Sequence, residues 1–214
     1  MTTALRRCCV AVAASLLLAS CMSVSVGNEG SPHTQLRLTD AAAAQPTRRA
    51  EPLIAALLIQ PLPADALTDT TSIAYARRDN EFAFYQFASW TERPVRQVPR
   101  LLQRRLEARG IAGAVGLLGD PLRADWLLTV AVQTLHHDAS MTPGTGRLAM
   151  TVELFDRRGR IRVARRHFET AAATTREDAP AAAAAMSKAV ALAFDELLPW
   201  LEAELQRAAG TPPH

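Results

Sequence analysis

The chain lacks the features that mark several large function classes. Only 5% of its 214 residues are aromatic and only three are cysteine, too few and too oddly numbered for a disulfide scaffold. Lysine is nearly missing: Lys188 is the single one among 24 basic residues. No uninterrupted apolar run reaches the roughly 18 residues of a membrane-spanning helix. There is no Gly-x4-Gly-Lys-Ser/Thr loop, so the chain is not an ATP-driven motor by itself. There is no Gly-x-Ser-x-Gly elbow either, and Ser72, Ser89, Ser140 and Ser187 have no recognisable nucleophile setting. What is present is alanine, 41 residues, and arginine, 23. That combination suits a GC-rich genome, so arginine abundance alone does not indicate nucleic-acid binding. Hydrophobic residues at 49% and charged residues at 21% are ordinary globular values. The length suits one domain plus an appendage.

The N-terminus reads as an address. Arg6 and Arg7 form a positive stretch, and Cys8 to Ala19 an apolar core too short to cross a bilayer. The core ends in Leu18-Ala19-Ser20-Cys21, with small side chains where a signal peptidase needs them. Residues 1–20 resemble a bacterial lipoprotein signal cleaved before Cys21. The resemblance implies a diacylglyceryl thioether on the Cys21 sulfur and an acyl amide on its new N-terminus. Cys8 and Cys9 leave with the signal, so the mature chain has one cysteine and no internal disulfide. Loss of Arg6 and Arg7 leaves 22 basic residues against 21 acidic ones, close to neutrality. Single-chain anchoring is marginal at about 0.8 kcal/mol per buried methylene, whereas three chains hold durably. Met22 stands where an aspartate commonly signals inner-membrane retention. By analogy, the periplasmic face of the outer membrane is expected.

Residues 21–52, with Gly27, Gly30, Pro32, Ala41 to Ala44, Pro46 and Pro52, read as the lipidated end and a flexible tether. A domain is expected over 53–207 and a disordered tail over 208–214. Leu53 to Ile59 is an apolar run of strand length, buried on both faces and stopped by Pro61. Ser72 to Ala76 and Glu81 to Phe87 form a hairpin around Arg77-Arg78-Asp79-Asn80. Val98, Leu101, Leu102, Arg105 and Leu106 have helical spacing up to Gly110, and Pro99 must lie in the first turn or bend the helix. After a short run at Ala112 to Leu118 come alternating strands over Asp125 to Leu135, Arg147 to Phe155 and Ile161 to Thr170. In the first of these, Trp126, Leu128, Val130 and Val132 share a face. Asp178 to Leu205 is helical, with Val190, Phe194, Leu197, Leu201 and Leu205 as its stripe and Pro199 as a kink. The expected fold is an α/β two-layer sandwich, a mixed, largely antiparallel sheet covered by two amphipathic helices.

Candidate chemistry is sparse. His136-His137-Asp138 is the cluster to weigh as a metal or triad site. Neighbours on a strand point to opposite faces, so the two histidines do not share a metal, and a polar strand end is the plain reading. No cofactor and no catalytic residue are assigned. The basic run Arg157, Arg158, Arg160, Arg162, Arg165 and Arg166 sits on a hairpin and could meet lipid headgroups or an acidic partner. A charged edge that discourages strand pairing is the simpler account. Nucleic acid is excluded mainly by compartment. Trp90, Tyr85 and Phe87 are expected in the core.

Several segments together resemble the ABC-type transport auxiliary lipoproteins, the PqiC-like group. They are Leu57-Leu58-Ile59-Gln60-Pro61-Leu62, Ile73-Ala74-Tyr75, and Trp90-Thr91-Glu92-Arg93-Pro94 running into Leu101-Leu102 and Leu106. Ala124-Asp125-Trp126-Leu127-Leu128, Ala185-Met186-Ser187-Lys188-Ala189-Val190, Glu196-Leu197 and Trp200-Leu201 complete the set. The likeness spans Leu53 to Leu205, with departures at Ala64 to Thr71, Pro99 and Pro199. It implies a non-catalytic outer-membrane lipoprotein working with an MCE-domain protein and an ABC ATPase and permease to move lipids or other hydrophobic molecules. It also implies docking or self-association as a homo-oligomer. Other classes stay open: a lipid- or small-ligand-binding lipoprotein acting alone, an envelope hydrolase, and a cofactor lipoprotein of a cell-wall synthesis complex.

Overall fold

A computed structural model describes residues 32–41 and 47–209. The expected lipidation position Cys21, the expected signal and most of the expected tail therefore lie outside the described residues. The elements are β1 (Thr34–Leu36), β2 (Ile54–Pro61), β3 (Ser72–Arg78), β4 (Glu81–Trp90), α1 (Pro94–Arg109), β5 (Ala112–Leu117), β6 (Trp126–Asp138), β7 (Thr145–Asp156), β8 (Ile161–Ala173) and α2 (Ala179–Ala209).

The strands form one eight-stranded sheet built around β6. One edge of β6 pairs along its whole length with β7, which pairs in turn with β8. Its other edge is shared. Residues 126–130 pair with β2 and residues 137–138 with β3. The gap between those two partners is closed by the segment before β3, where fully buried Thr68 donates its hydroxyl to the Val132 carbonyl at 3.2 Å. The expectation of a largely antiparallel sheet is corrected. The pairs β3–β4, β6–β7 and β7–β8 are antiparallel, but β1–β4, β2–β5, β2–β6 and β3–β6 are parallel. Parallel pairing follows from the buried β2, which receives β5 and β6 on its two edges after crossovers too long for hairpins.

The helices form one core with one face of the sheet. Leu57 and Ile59 of β2 and Leu128, Val130 and Val132 of β6 join Leu102 and Leu106 of α1 and Val190, Phe194 and Leu197 of α2. The opposite face holds a much smaller cluster around Ala56, Leu58 and Ala124. Where α2 crosses β7 the backbones nearly touch: a Cβ on Gly146 would come within 2.3 Å of the Met186 nitrogen. Only glycine fits there. α1 starts with Pro94 at its first turn and stops at Gly110, whose φ of 70° closes the helix onto the Leu106 and Glu107 carbonyls. Pro99 lies beyond the first turn, inside the helix, and leaves the Val95 carbonyl without its usual donor. Asp178 caps α2 by accepting from the Ala181 N–H at 2.8 Å, and the helix continues through Pro199.

Part of the stretch expected as tether is ordered. Thr34–Leu36 pairs with the end of β4, and Leu38 is 1% exposed in the core. Few large apolar residues hide there in the sequence, but Leu36 and Leu38 are enough to fix it.

Candidate functional surfaces

Arg105 was placed by its spacing on the buried stripe of α1, where a charge needs partners. It is 6% exposed. Its guanidinium holds Asp40 with two bonds, Nε to Oδ2 at 2.6 Å and Nη2 to Oδ1 at 2.8 Å. It also reaches Asp195 Oδ1 at 3.1 Å and the Ala191 carbonyl at 3.4 Å. One arginine thus joins α1, α2 and residues 38–40. Nearby, the Thr39 N–H donates to buried Ser187 at 3.2 Å, and Gln97 donates to the Leu38 carbonyl at 3.3 Å. A second clasp lies one turn further along α1: Arg109 donates to Glu202 at 2.6 Å and to the Thr47 carbonyl, and Arg49 donates to the same Glu202 at 3.4 Å. The hydrogen bond from Arg109 to Glu202 holds that guanidinium's pKa above its ordinary value.

The stretch 37–40 and α1 flank a groove of about 780 Å³, with Arg37, Arg100 and Arg104 among its described lining. It is charged and open, unlike the enclosed apolar cavity that a carrier of hydrophobic ligands uses.

The hairpin arginines are held differently. Arg162 and Arg165 flank Glu153 at 2.9 and 3.6 Å, Arg158 meets Asp125 at 2.7 Å, and Arg166 meets Glu196 at 3.6 Å while lying over the Phe168 ring. Arg157 donates to the Ala124 carbonyl at 2.8 Å. Arg160 occupies the turn with φ of 55° and has no ion pair among the described residues. The basic run is therefore mostly compensated, by Glu153 across the hairpin and by Asp125 and Glu196 from farther along the chain.

His136 and His137 diverge as strand alternation requires. A one-residue irregularity between Val132 and Thr134 shifts the alternation of β6, so that Leu135 and His137 turn to the core side. His137 is 1% exposed, and its Nδ1 lies 2.7 Å from the Tyr85 hydroxyl. His136 packs edge-on against Phe82 at 5.2 Å. Burial lowers both histidine pKa values. Burial, then Glu177 and Asp178, pushes the Tyr85 phenol up to about 12. Asp138 is lowered mainly by its hydrogen bond with Ser140. Among the described residues no three His, Cys, Asp or Glu side chains are grouped to hold a metal.

Of the aromatics expected in the core, Trp90 is buried and Tyr85 is half-buried, but Phe87 is 49% exposed, a correction. Phe82 and Phe84 on the same strand are exposed as well. The sequence showed apolar bulk on both faces of β4 without showing which of these rings stay exposed among the described residues.

These features define a class, a mixed α/β domain with both helices on one face and an N-terminal strap clasped to them. The family follows from the match of residues 35–197 to the model of the ABC-type transport auxiliary lipoprotein component. The chain belongs to that family, whose members are lipoprotein components associated with ABC-type transport. Among solved structures, protein XCC0632 from Xanthomonas campestris, of the DUF330 family, is similar in fold. It has a TM-score of 0.73 and 23% identity, over 83% of this chain and 100% of that one. An uncharacterized protein has a TM-score of 0.63 and 12% identity, over 80% of this chain and 99% of that one. No curated protein sequence matches the chain.

Proposed function

We propose that the protein is the outer-membrane lipoprotein subunit of an MCE/ABC-type envelope transport system for lipids or other hydrophobic molecules. It is lipidated at Cys21, faces the periplasm and docks transport components without catalysing a reaction. The observation that carries this reading is the family match, which spans α1 and the buried stripe of α2 as far as Leu197 and reaches back into the strap. The open, arginine-lined groove supports a docking subunit over a stand-alone carrier of apolar ligands. Arg157, Arg158, Arg160, Arg162 and Arg165 enter as contacts for an acidic partner or headgroup, with Arg160 the readiest since among the described residues its side chain has neither an ion pair nor a hydrogen bond to give up.

Affinity purification of the full chain in mild detergent tests the partner class. Recovery of an MCE-domain protein or an ABC ATPase or permease is expected, and recovery of none of them sinks the reading. Cys21→Ser should move the protein from the membrane fraction to the soluble periplasmic fraction. Continued sedimentation with membranes would remove the lipid anchor from the account.

A further inference from the structure

Three of the six phenylalanines, Phe82, Phe84 and Phe87, are exposed by 39, 47 and 49%, and all three lie on β4. Of the four other exposed large apolar residues among those described, Leu118, Ile161 and Leu192 lie on separate elements or loops, which is ordinary for a protein surface, and Met141 lies near the tip of the β3–β4 hairpin. β4 is also an open edge: β1 pairs only with residues 88–90, and among the described residues nothing pairs with the outer side of 81–87. Proteins usually blunt such an edge with charge or proline. Here aromatic side chains are placed on it instead.

The path of the chain says what this edge faces. β1 runs parallel to β4 with Thr34 beside Ala88, so the N-terminal end of β1 points toward the Phe87 end of β4. The His33 Nε2 lies 2.9 Å from the Ser89 hydroxyl, which holds the start of β1 against β4. Only the twelve residues from Met22 to His33 separate Cys21 from β1, a reach of at most about 40 Å. The Arg105–Asp40 and Thr39–Ser187 contacts keep residues 38–40 from peeling away to lengthen it. Phe82 to Phe87 spans roughly 17 Å of strand, well inside that reach. The hairpin tip adds exposed Arg77 and Arg78, and Met141, 75% exposed, lies on the turn held beside it by the Ala139 N–H bond to Ala76.

We infer that the β4 edge, with Phe82, Phe84 and Phe87 entering the headgroup region, rests on the lipid surface that holds the anchor. The inference depends on the proposed lipid anchor at Cys21. A bilayer fits this edge better than a second copy adding a strand. The pairing of β4 with β3 breaks between Phe84 and Ser89, and an irregular strand is a poor template for edge-to-edge pairing. An interface accepts aromatic rings without requiring any register.

The test uses the lipidated full chain on vesicles of phosphatidylethanolamine and phosphatidylglycerol. Nitroxide labels are placed through Phe84→Cys, Phe87→Cys, Ile161→Cys and Leu192→Cys, since the mature chain's own cysteine is acylated. Labels at 84 and 87 should be several-fold less accessible to a water-soluble nickel chelate than those at 161 and 192, and more accessible to oxygen. Equal nickel accessibility at all four positions on protein that sediments with the vesicles would overturn the inference. Dipolar broadening between labels at 84 would overturn it too, by showing a second copy there. Failure to sediment at all would bring down the anchor reading, and this inference with it.

Discussion

Arg105 and the arginines of the β7–β8 hairpin carry the same functional group in opposite settings. Six arginines crowd into residues 157–166, and the density draws the eye in sequence. Each is exposed, and most are matched to a carboxylate in high dielectric, where a pair contributes about 1 kcal/mol or less. Arg105 stands alone on a buried helix face, yet it ties together both helices and the strap. Burial and partner geometry, more than local charge density, set how much a cation contributes.

The largest effect is expected where that contrast is sharpest. Arg105→Ala should destabilise the fold by about 3 kcal/mol, because it strands Asp40 with little solvent to replace the guanidinium. Urea denaturation would show it, and hydrogen exchange should show residues 33–40 released first. Replacing both partners, Arg105→Met with Asp40→Leu, should recover most of the loss. A double variant as unstable as the single one would mean the site needs charge itself.

A middle-sized effect separates half-buried His136 and buried His137 from the exposed surface. His136 and His137 have pKa values lowered by burial, so the unfolded chain binds more protons just below its own histidine pKa. Their contribution is fully present above about pH 6.5 and is lost as pH falls below it, by at most about 1.4 kcal/mol per pH unit for each group. Unfolding curves from pH 8 to 5 would reveal this slope, and His137→Gln should flatten it. The smallest effects belong to the hairpin: Arg162→Ala or Arg165→Ala should each cost about 0.5 kcal/mol or less. A loss near that of Arg105→Ala at either position would break the comparison.

Much of the fold was legible in particular residues. Leu53 to Ile59 reads as a buried strand because its apolar run has no alternation, and β2 does have neighbours on both edges. The stripe from Val190 to Leu205 specifies the buried face of α2. Gly110 marks the end of α1. Three features were not legible. Asp40 looks like one more polar residue beside an alanine run, since its partner lies 65 residues away. The irregularity after Val132 turns His137 inward, although continued alternation would have kept it on the other side. Phe87 is an aromatic of the kind that cores take, yet it is 49% exposed and lies just outside the three-residue pairing of β1 with β4.

The candidate surfaces divide in the same way. The run of hairpin arginines was visible as a run, with Glu153 on the same outer face, but not the partners Asp125 and Glu196. The aromatics of β4 were visible, but not the open edge. By itself the sequence determined the element types, the core stripes, the lipoprotein-like start and the family, because periodicity, caps and local motifs are short-range properties. The tertiary structure alone decided which charges are compensated, which edge is left open among the described residues and how residues 38–40 are tied to the helices. Those outcomes depend on contacts between residues far apart in the chain, and on which surfaces water can still reach.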